Sequence, residues 1–237
     1  MDFDADYAAW KSWHSASAFR FSRKDAKYFR GQFAHVRVKG ARVLEIGFGS
    51  GAFLAWAKAE ANEVVGTELI PNLVRFGTDQ GYSVHCGKVD EVAALAGERF
   101  DLIVLIDVLE HLPDEDLART LRWIVDHLSD EGVCVARFPN GASPFGLPIQ
   151  NGDTTHCQWL SHEKMRQLST RHGFEVVSCR NQYRSWAGGL PGVRQVVQRA
   201  LRALTEKFIR FILELREGPM DMNVVVTFRR RTPATGP

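Results

Sequence analysis

The chain has 237 residues, 45% hydrophobic and 24% charged, with 30 basic against 28 acidic side chains and a formal net charge of +2. That size and balance fit one α/β domain with some elaboration, bury a full core, and set up no global positive field that would demand nucleic acid. The acidic start Met1-Asp2-Phe3-Asp4 is unlike a signal peptide, no run approaches the roughly 20 apolar residues of a membrane span, and Cys86, Cys134, Cys157 and Cys179 lie too far apart for zinc-finger pairs, so a cytoplasmic protein with reduced thiols is expected.

Residues 1–38 are rich in aromatics (Phe3, Tyr7, Trp10, Trp13, Phe19, Phe21, Tyr28, Phe29 and Phe33) and are read as helices that pack on the sheet or lid the site. From residue 39 to 230 strand-length apolar runs alternate with helical periodicity, the pattern of βαβ units and a parallel sheet. Arg42–Ile46 is a short buried strand and Ala52–Ala59 a helix. Residues 63–67 form a second strand, with Pro71 suited to the first turn of the next helix, and 82–86 a third. Phe100–Ile106 (FDLIVLI) is apolar almost throughout, as a central strand covered on both faces must be. A helix over 113–128 and a fifth strand over 133–138 follow, joined by the turn Ser129-Asp130-Glu131-Gly132.

Residues 139–160 carry Pro139, Gly141, Pro144, Gly146, Pro148 and Gly152, a long irregular loop of the kind that carries function. Ser161 caps a helix ending at His172 with Gly173 as its stop, and 174–179 and 223–228 are the last strands. Between them, 193–217 is amphipathic, with Val193, Val197, Leu204, Phe208 and Phe211 on one face and arginines on the other. It is expected to pack its apolar face on its own domain. The alternatives are a homodimer interface or peripheral contact with an acidic membrane surface, for which Glu206, Glu214 and Glu217 dilute the charge. Residues 231–237 are expected to fray.

The strongest motif is Val43-Leu44-Glu45-Ile46-Gly47-Phe48-Gly49-Ser50-Gly51, at the turn from the first strand into the first helix. Glycines there let the backbone bend and approach a ligand, and the helix N-terminus favours an anion. Glu68 ends the second strand, where a carboxylate can accept both hydroxyls of an adenosine ribose. Gly47-x-Gly49-x-x-Ala52 also satisfies the loose dinucleotide fingerprint, so NAD competes. Glu45 before the glycines, the third glycine at 51, and FDLIVLIDVLEHLPD over 100–114 argue against it.

Together VLEIGFGSG, VVGTEL, FDLIVLIDVLEHLPD and LSDEGVCVARFPN resemble class I S-adenosylmethionine-dependent methyltransferases with an EHL signature, over residues 40–180. The stretch from Phe138-Pro139-Asn140 through Asp153-Thr154-Thr155-His156 to Gly173-Phe174 is similar to bacterial methyltransferases of polysaccharide and glycan biosynthesis. The resemblance implies a doubly wound, Rossmann-like sheet of seven strands with the last antiparallel. It implies S-adenosylmethionine as methyl donor and S-adenosylhomocysteine as product. It also implies that Glu45, Gly47, Phe48, Gly49 and Gly51 line the methionine end and the turn, and that Glu68 with Leu69 binds the ribose. Lys88 and Val89 would flank the adenine, and Asp107 the methionine portion. Lys88 stands where the family often has an adenine-reading aspartate, with Asp90 two residues on.

Transfer to a hydroxyl needs a base, because a neutral alcohol is a poor nucleophile. His156, oriented by Asp153, is the first candidate, and His111 is read as shaping the donor pocket with catalysis second. Asn140 and Gln150 are candidate acceptor contacts. Asp107, Asp153 and His156 could supply metal ligands, but without a tight acidic cluster no metal is expected. The reaction expected is methyl transfer to a hydroxyl of a sugar, glycan-like or small polar acceptor. N- or C-methylation of a small metabolite and a non-catalytic cofactor-binding module are the competing readings, and nucleic acid is not expected as a partner.

Overall fold

A computed structural model describes residues 18–60, 63–185, 189–215 and 218–231. Seven strands, β1 (Arg42–Ile46), β2 (Glu63–Glu68), β3 (Ser83–Cys86), β4 (Phe100–Ile106), β5 (Leu128–Pro139), β6 (Phe174–Asn181) and β7 (Asn223–Arg230), form one sheet in the order β3-β2-β1-β4-β5-β7-β6. The first five run parallel, and β7 lies antiparallel between β5 and β6. Helices α1 (Arg23–Gln32), α2 (Ala52–Ala59) and α3 (Pro71–Asp79) cover one face, α4 (Asp114–His127) and α6 (His162–His172) the other, and α5 (Leu147–Gln150) is a single turn. The doubly wound α/β architecture is therefore as the sequence implied.

Each face of the sheet has its own apolar layer, because parallel strands with helices on both sides bury both sets of side chains. Ile103, Leu105 and Phe138 meet Leu117, Leu121 and Met165 on one side. Val43, Leu102 and Val104 meet an aromatic group of Phe29, Phe33, Phe53 and Trp56 on the other. Phe19 extends that second layer: its ring lies 4.4 Å from Tyr82, and its N–H donates to the Ser50 carbonyl at 2.7 Å. The described part of the N-terminal segment thus packs on the sheet layer, while Phe3, Tyr7, Trp10 and Trp13 lie outside the described residues.

Three local features differ from expectation. Ser129-Asp130-Glu131-Gly132 is a bulge inside a longer β5, since Phe100 pairs with Leu128 and Leu102 already pairs with Val133. A Cβ at Gly132 would lie 2.7 Å from the Phe100 carbonyl oxygen, so the bulge closes on itself only with glycine there. The loop 139–160 is ordered by Asn140, whose amide donates to the Pro219 carbonyl at 2.9 Å, and by Gln150, which donates to the Gln158 carbonyl at 3.1 Å. Asn140 and Gln150 are therefore buried backbone ties rather than acceptor contacts.

The third correction concerns α7 (Gly189–Leu213), whose apolar face does not pack on the domain. Val193, Val197, Leu204, Phe208 and Phe211 are all exposed. Its polar face turns inward instead: Arg202 bridges to Asp221 at 2.9 Å and Glu206 at 2.8 Å, and Arg210 donates to the Gly218 carbonyl.

Ser161 caps α6 as expected, its hydroxyl accepting the Lys164 N–H at 3.1 Å, and Gly173 ends it in the left-handed region. Ser161→Ala should therefore cost about 1 kcal/mol in urea unfolding. A midpoint unchanged from wild type would show that the cap contributes nothing.

Candidate active site

The chain passes from β1 outward to β2 and β3, then returns to place β4 on the other side of β1. At such a reversal the loops beyond the strand ends splay apart and leave a crevice. A cavity of about 790 Å³ opens there, bordered by the β1–α2 turn, the ends of β2 and β3, the segment after β4, and α1. The aromatic N-terminal segment therefore walls the site as well as packing on the sheet, through Asp25, Tyr28 and Phe29.

Glu45, Gly47, Phe48, Gly49, Glu68, Leu69, Lys88, Val89 and Asp107, all expected to hold the cofactor, border this cavity. Gly51 is the N-cap of α2 behind it. Gly47 has φ +68°, and a Cβ there would lie 2.7 Å from Val108, so the turn closes only on a residue without one. The Glu68 carboxylate accepts the N–H groups of Gly49 (2.8 Å), Leu69 (2.7 Å) and Ile70 (3.2 Å). A carboxylate has about four acceptor positions, so a ribose at Glu68 shares them with the backbone. This narrows the expectation that it receives both hydroxyls unencumbered.

Glu45 is enclosed, and its Oε2 has no hydrogen-bond partner. Burial raises its pKa well above the ordinary glutamate range; the Leu54 backbone N–H opposes the shift and the Glu68 charge adds to it. A buried carboxylate oxygen without a partner, on the wall of a cavity, fits a cationic group such as the ammonium and sulfonium of S-adenosylmethionine. Where the adenine was expected, Lys88 is drawn to Asp116 of α4 at 2.8 Å, and Asp90 faces Arg119 at 3.4 Å. Both Lys88 and Asp90 border the cavity, so the carboxylate that is missing at 88 is present two residues later.

Asp107 has φ +57°, a conformation that asparagine and aspartate tolerate better than most residues. Both its carboxylate oxygens are taken by Arg137 of β5, one at 2.8 Å from Nε. Burial alone would lower the Arg137 pKa, but the charge and hydrogen bonds of Asp107, with the Tyr28 hydroxyl, raise it instead. This ion pair has no short motif, and sequence reasoning missed Arg137, Tyr28 and Gln182, all of which border the cavity. Only the order of strands, which sets β5 beside β4, could have pointed to Arg137.

The candidate bases change rank. The His156 side chain is 4% exposed, its Nδ1 bonds the Gln150 carbonyl at 3.1 Å, and it is not among the residues that border the cavity. Asp153, expected to orient His156, lies 3.8 Å from its Nε2 but accepts the Thr155 hydroxyl at 2.5 Å and the Thr155 N–H at 3.0 Å. Thr155 in turn meets His111 Nδ1 at 2.8 Å, and both Thr155 and His111 border the cavity. His111 and His156 stack edge to face, 4.7 Å apart. Among the described residues, Glu110, His111 and His156 each offer a ligand atom within 4.8 Å of the others, so a metal would find its donors there rather than at Asp107, Asp153 and His156.

Two outcomes follow. Because folding raises the Glu45 pKa, the native state holds a proton that the unfolded chain has released; stability should fall as pH rises from the ordinary glutamate range through the raised value. Glu45→Gln should flatten that decline in urea midpoints measured across the range, and parallel pH profiles would refute the burial argument. Gly47→Ala should weaken S-adenosylhomocysteine binding about tenfold or more by calorimetry while leaving a folded protein, since the turn must shift to admit a Cβ.

Residues 18–179 match the family model described as a methyltransferase domain. Among curated proteins, no sequence matches the chain. Three solved structures are similar in fold. A SAM-dependent methyltransferase from Archaeoglobus fulgidus is 20% identical, with TM-score 0.65, covering 90% of this chain and 96% of that one. An S-adenosylmethionine-dependent methyltransferase from Mesorhizobium loti is 18% identical, with TM-score 0.59, covering 86% and 98%. A TehB-like SAM-dependent methyltransferase from Corynebacterium glutamicum is 18% identical, with TM-score 0.58, covering 96% and 98%. With the glycine turn, the acid at the end of β2 and a donor-sized crevice in place, the chain belongs to the methyltransferase-domain family and is an S-adenosylmethionine-dependent enzyme.

Proposed function

We propose that the enzyme methylates a hydroxyl of a sugar, glycan-like or small polar acceptor, with His111 as general base. The observation that carries this reading is the chain Asp153–Thr155–His111 on the cavity wall. The Thr155 hydroxyl has one hydrogen. Asp153, as a carboxylate, can only accept, so that hydrogen points to Asp153 and the threonine oxygen accepts from His111 Nδ1. Neutral His111 then carries its lone pair on Nε2, the tautomer that a base requires. Any positive charge that develops on the ring is stabilised through Thr155 by Asp153, which is the role of a third group in base-assisted nucleophilic catalysis.

S-adenosylmethionine, when bound, supplies the activated methyl group. His111 would take the proton of the acceptor hydroxyl as the hydroxyl oxygen bonds the methyl carbon and that carbon's bond to sulfur breaks, with S-adenosylhomocysteine leaving as the neutral thioether. Asp107 does not serve as base in this reading, because Arg137 holds both its oxygens. The acceptor side of the wall is polar, with Asp25, Gln182 and Tyr28, whose hydroxyl accepts from Arg137 and keeps its own hydrogen to donate. Such a surface suits a hydroxyl-rich acceptor and the polysaccharide-related role that residues 138–174 suggested. The described part of the N-terminal segment, 18–38, then acts as the lid of a methyltransferase domain that continues from residue 39, and Glu45, the glycine turn, Glu68, Leu69, Lys88 and Val89 hold the donor.

His111→Gln should lower kcat on a hydroxyl acceptor by about a hundredfold or more while changing S-adenosylhomocysteine affinity less than about threefold. His156→Gln, which alters a ring outside the cavity, should cost less. Full activity in His111→Gln would remove the base assignment. Activity should also survive dialysis against a chelator; loss that a divalent ion restores would make His111 a metal ligand instead.

A further inference from the structure

The helix α7 is mounted with its apolar face to solvent. Spacing of 100° per residue puts Val193, Val196, Val197, Ala200, Leu201, Leu204, Phe208, Phe211 and Ile212 on one arc of about 160°. All nine are exposed, Phe211 at 83% and Leu204 at 64%. The opposite side holds Gln195, Arg202, Glu206, Ile209 and Arg210, the half-buried positions, and these face the domain. The apolar residues run from Val193 to Ile212, about 30 Å of helix at 1.5 Å per residue, a continuous exposed strip of the kind that marks an interaction surface.

We infer that α7 is a docking helix for an anionic lipid bilayer, lying flat in the headgroup region with this arc buried. The argument rests on charge. Of the five cations of α7, Arg202 and Arg210 turn to the domain with the helix's one carboxylate, Glu206, and Arg194, Arg199 and Lys207 are exposed. Glu206 therefore does not dilute the charge along the exposed face of the helix, and Glu214 lies just past its end. Arg194 and Lys207 stand exposed at the two margins of the arc, with Arg199 exposed beyond one of them. Apolar side chains flanked by cations match a negatively charged interface. A second copy seated on the same strip would instead bring equivalent cationic margins together, and the arc is wider than the seam of a two-helix coil.

The helix is also joined to the active site. Gln182 borders the cavity, Arg184 two residues later bridges to Asp221 at 2.6 Å, and its carbonyl accepts from Arg199 at 3.1 Å. Docking α7 thus sets the acceptor side of the cavity close to the membrane, whichever atom is methylated.

The test is sedimentation of the full chain with vesicles of phosphatidylglycerol and phosphatidylcholine in equal amounts, against phosphatidylcholine alone. Binding to the anionic vesicles should be at least about tenfold tighter and should weaken with added salt. The combined variant Leu204→Gln, Phe208→Gln, Phe211→Gln should lose it about tenfold or more, and Arg194→Gln with Lys207→Gln should weaken it in the anionic vesicles alone. These positions are exposed, so thermal stabilisation by S-adenosylhomocysteine should be unchanged in every variant. Absence of binding to either vesicle overturns the inference, as does a concentration-dependent dimer that the triple variant abolishes while vesicles bind neither protein.

Discussion

The Glu68 carboxylate is the tie on which the donor site depends. By accepting N–H groups from the glycine turn after β1 and from the two residues that follow it, this one side chain holds two loops of different strands at a fixed distance. Without it, the backbone donors beyond β1 and β2 would need water or a ligand to satisfy them. The neighbouring Glu45 works in the opposite sense. It is buried with an oxygen left unmatched and its pKa raised, so it holds a proton that a cation arriving from the cavity would displace. One acid builds the crevice, and the other waits for a cation within it.

On the acceptor side, the pairing of Arg137 with Asp107 performs a similar division of labour. A carboxylate at the end of β4, so near the reacting centre, could compete for the acceptor proton, but the guanidinium occupies both its oxygens. In the proposed reaction, proton transfer falls to the His111 imidazole, whose Nδ1 meets Thr155 and, through it, buried Asp153. The half of the cavity beside the glycine turn and Glu68 is the one that the family resemblance led the sequence to expect. The acceptor half is made by residues of this chain that come from α1, β5, the 139–160 loop and the segment after β6.

What was legible in the sequence follows from the range of the interactions involved. Strands β1 and β4 were readable because their burial pattern is local and nearly continuous, and α6 because its Ser161 and Gly173 mark both ends. The residues expected to hold the donor come together on the cavity wall because one turn and one strand end supply most of them within a short span. That His111 and not His156 borders the cavity was not legible, because Asp153 is three residues from His156 in sequence, yet its hydrogen bonds run through Thr155 to a ring 44 residues distant. Tyr28, Arg137 and Gln182 converge from across the chain and leave no periodic trace. The orientation of α7 was misread for a related reason: periodicity reveals that a helix has an apolar side but is silent on which side meets the domain, and here buried Asp221 draws Arg202 inward and the Gly218 carbonyl draws Arg210.

The antiparallel seating of β7 between β5 and β6 has a consequence for how the molecule is made. Both neighbours leave the ribosome before the strand that separates them, so β5 must wait with one hydrogen-bonding edge open and β6 with no partner in the sheet. A nascent chain stalled before residue 223 would present Val133–Phe138-type apolar sequence along an unpaired edge, a surface suited to mispairing with another chain. Completion of the sheet is thus a late, long-range insertion, and the interval before it is when this protein is most exposed to aggregation and most dependent on protection by the cell.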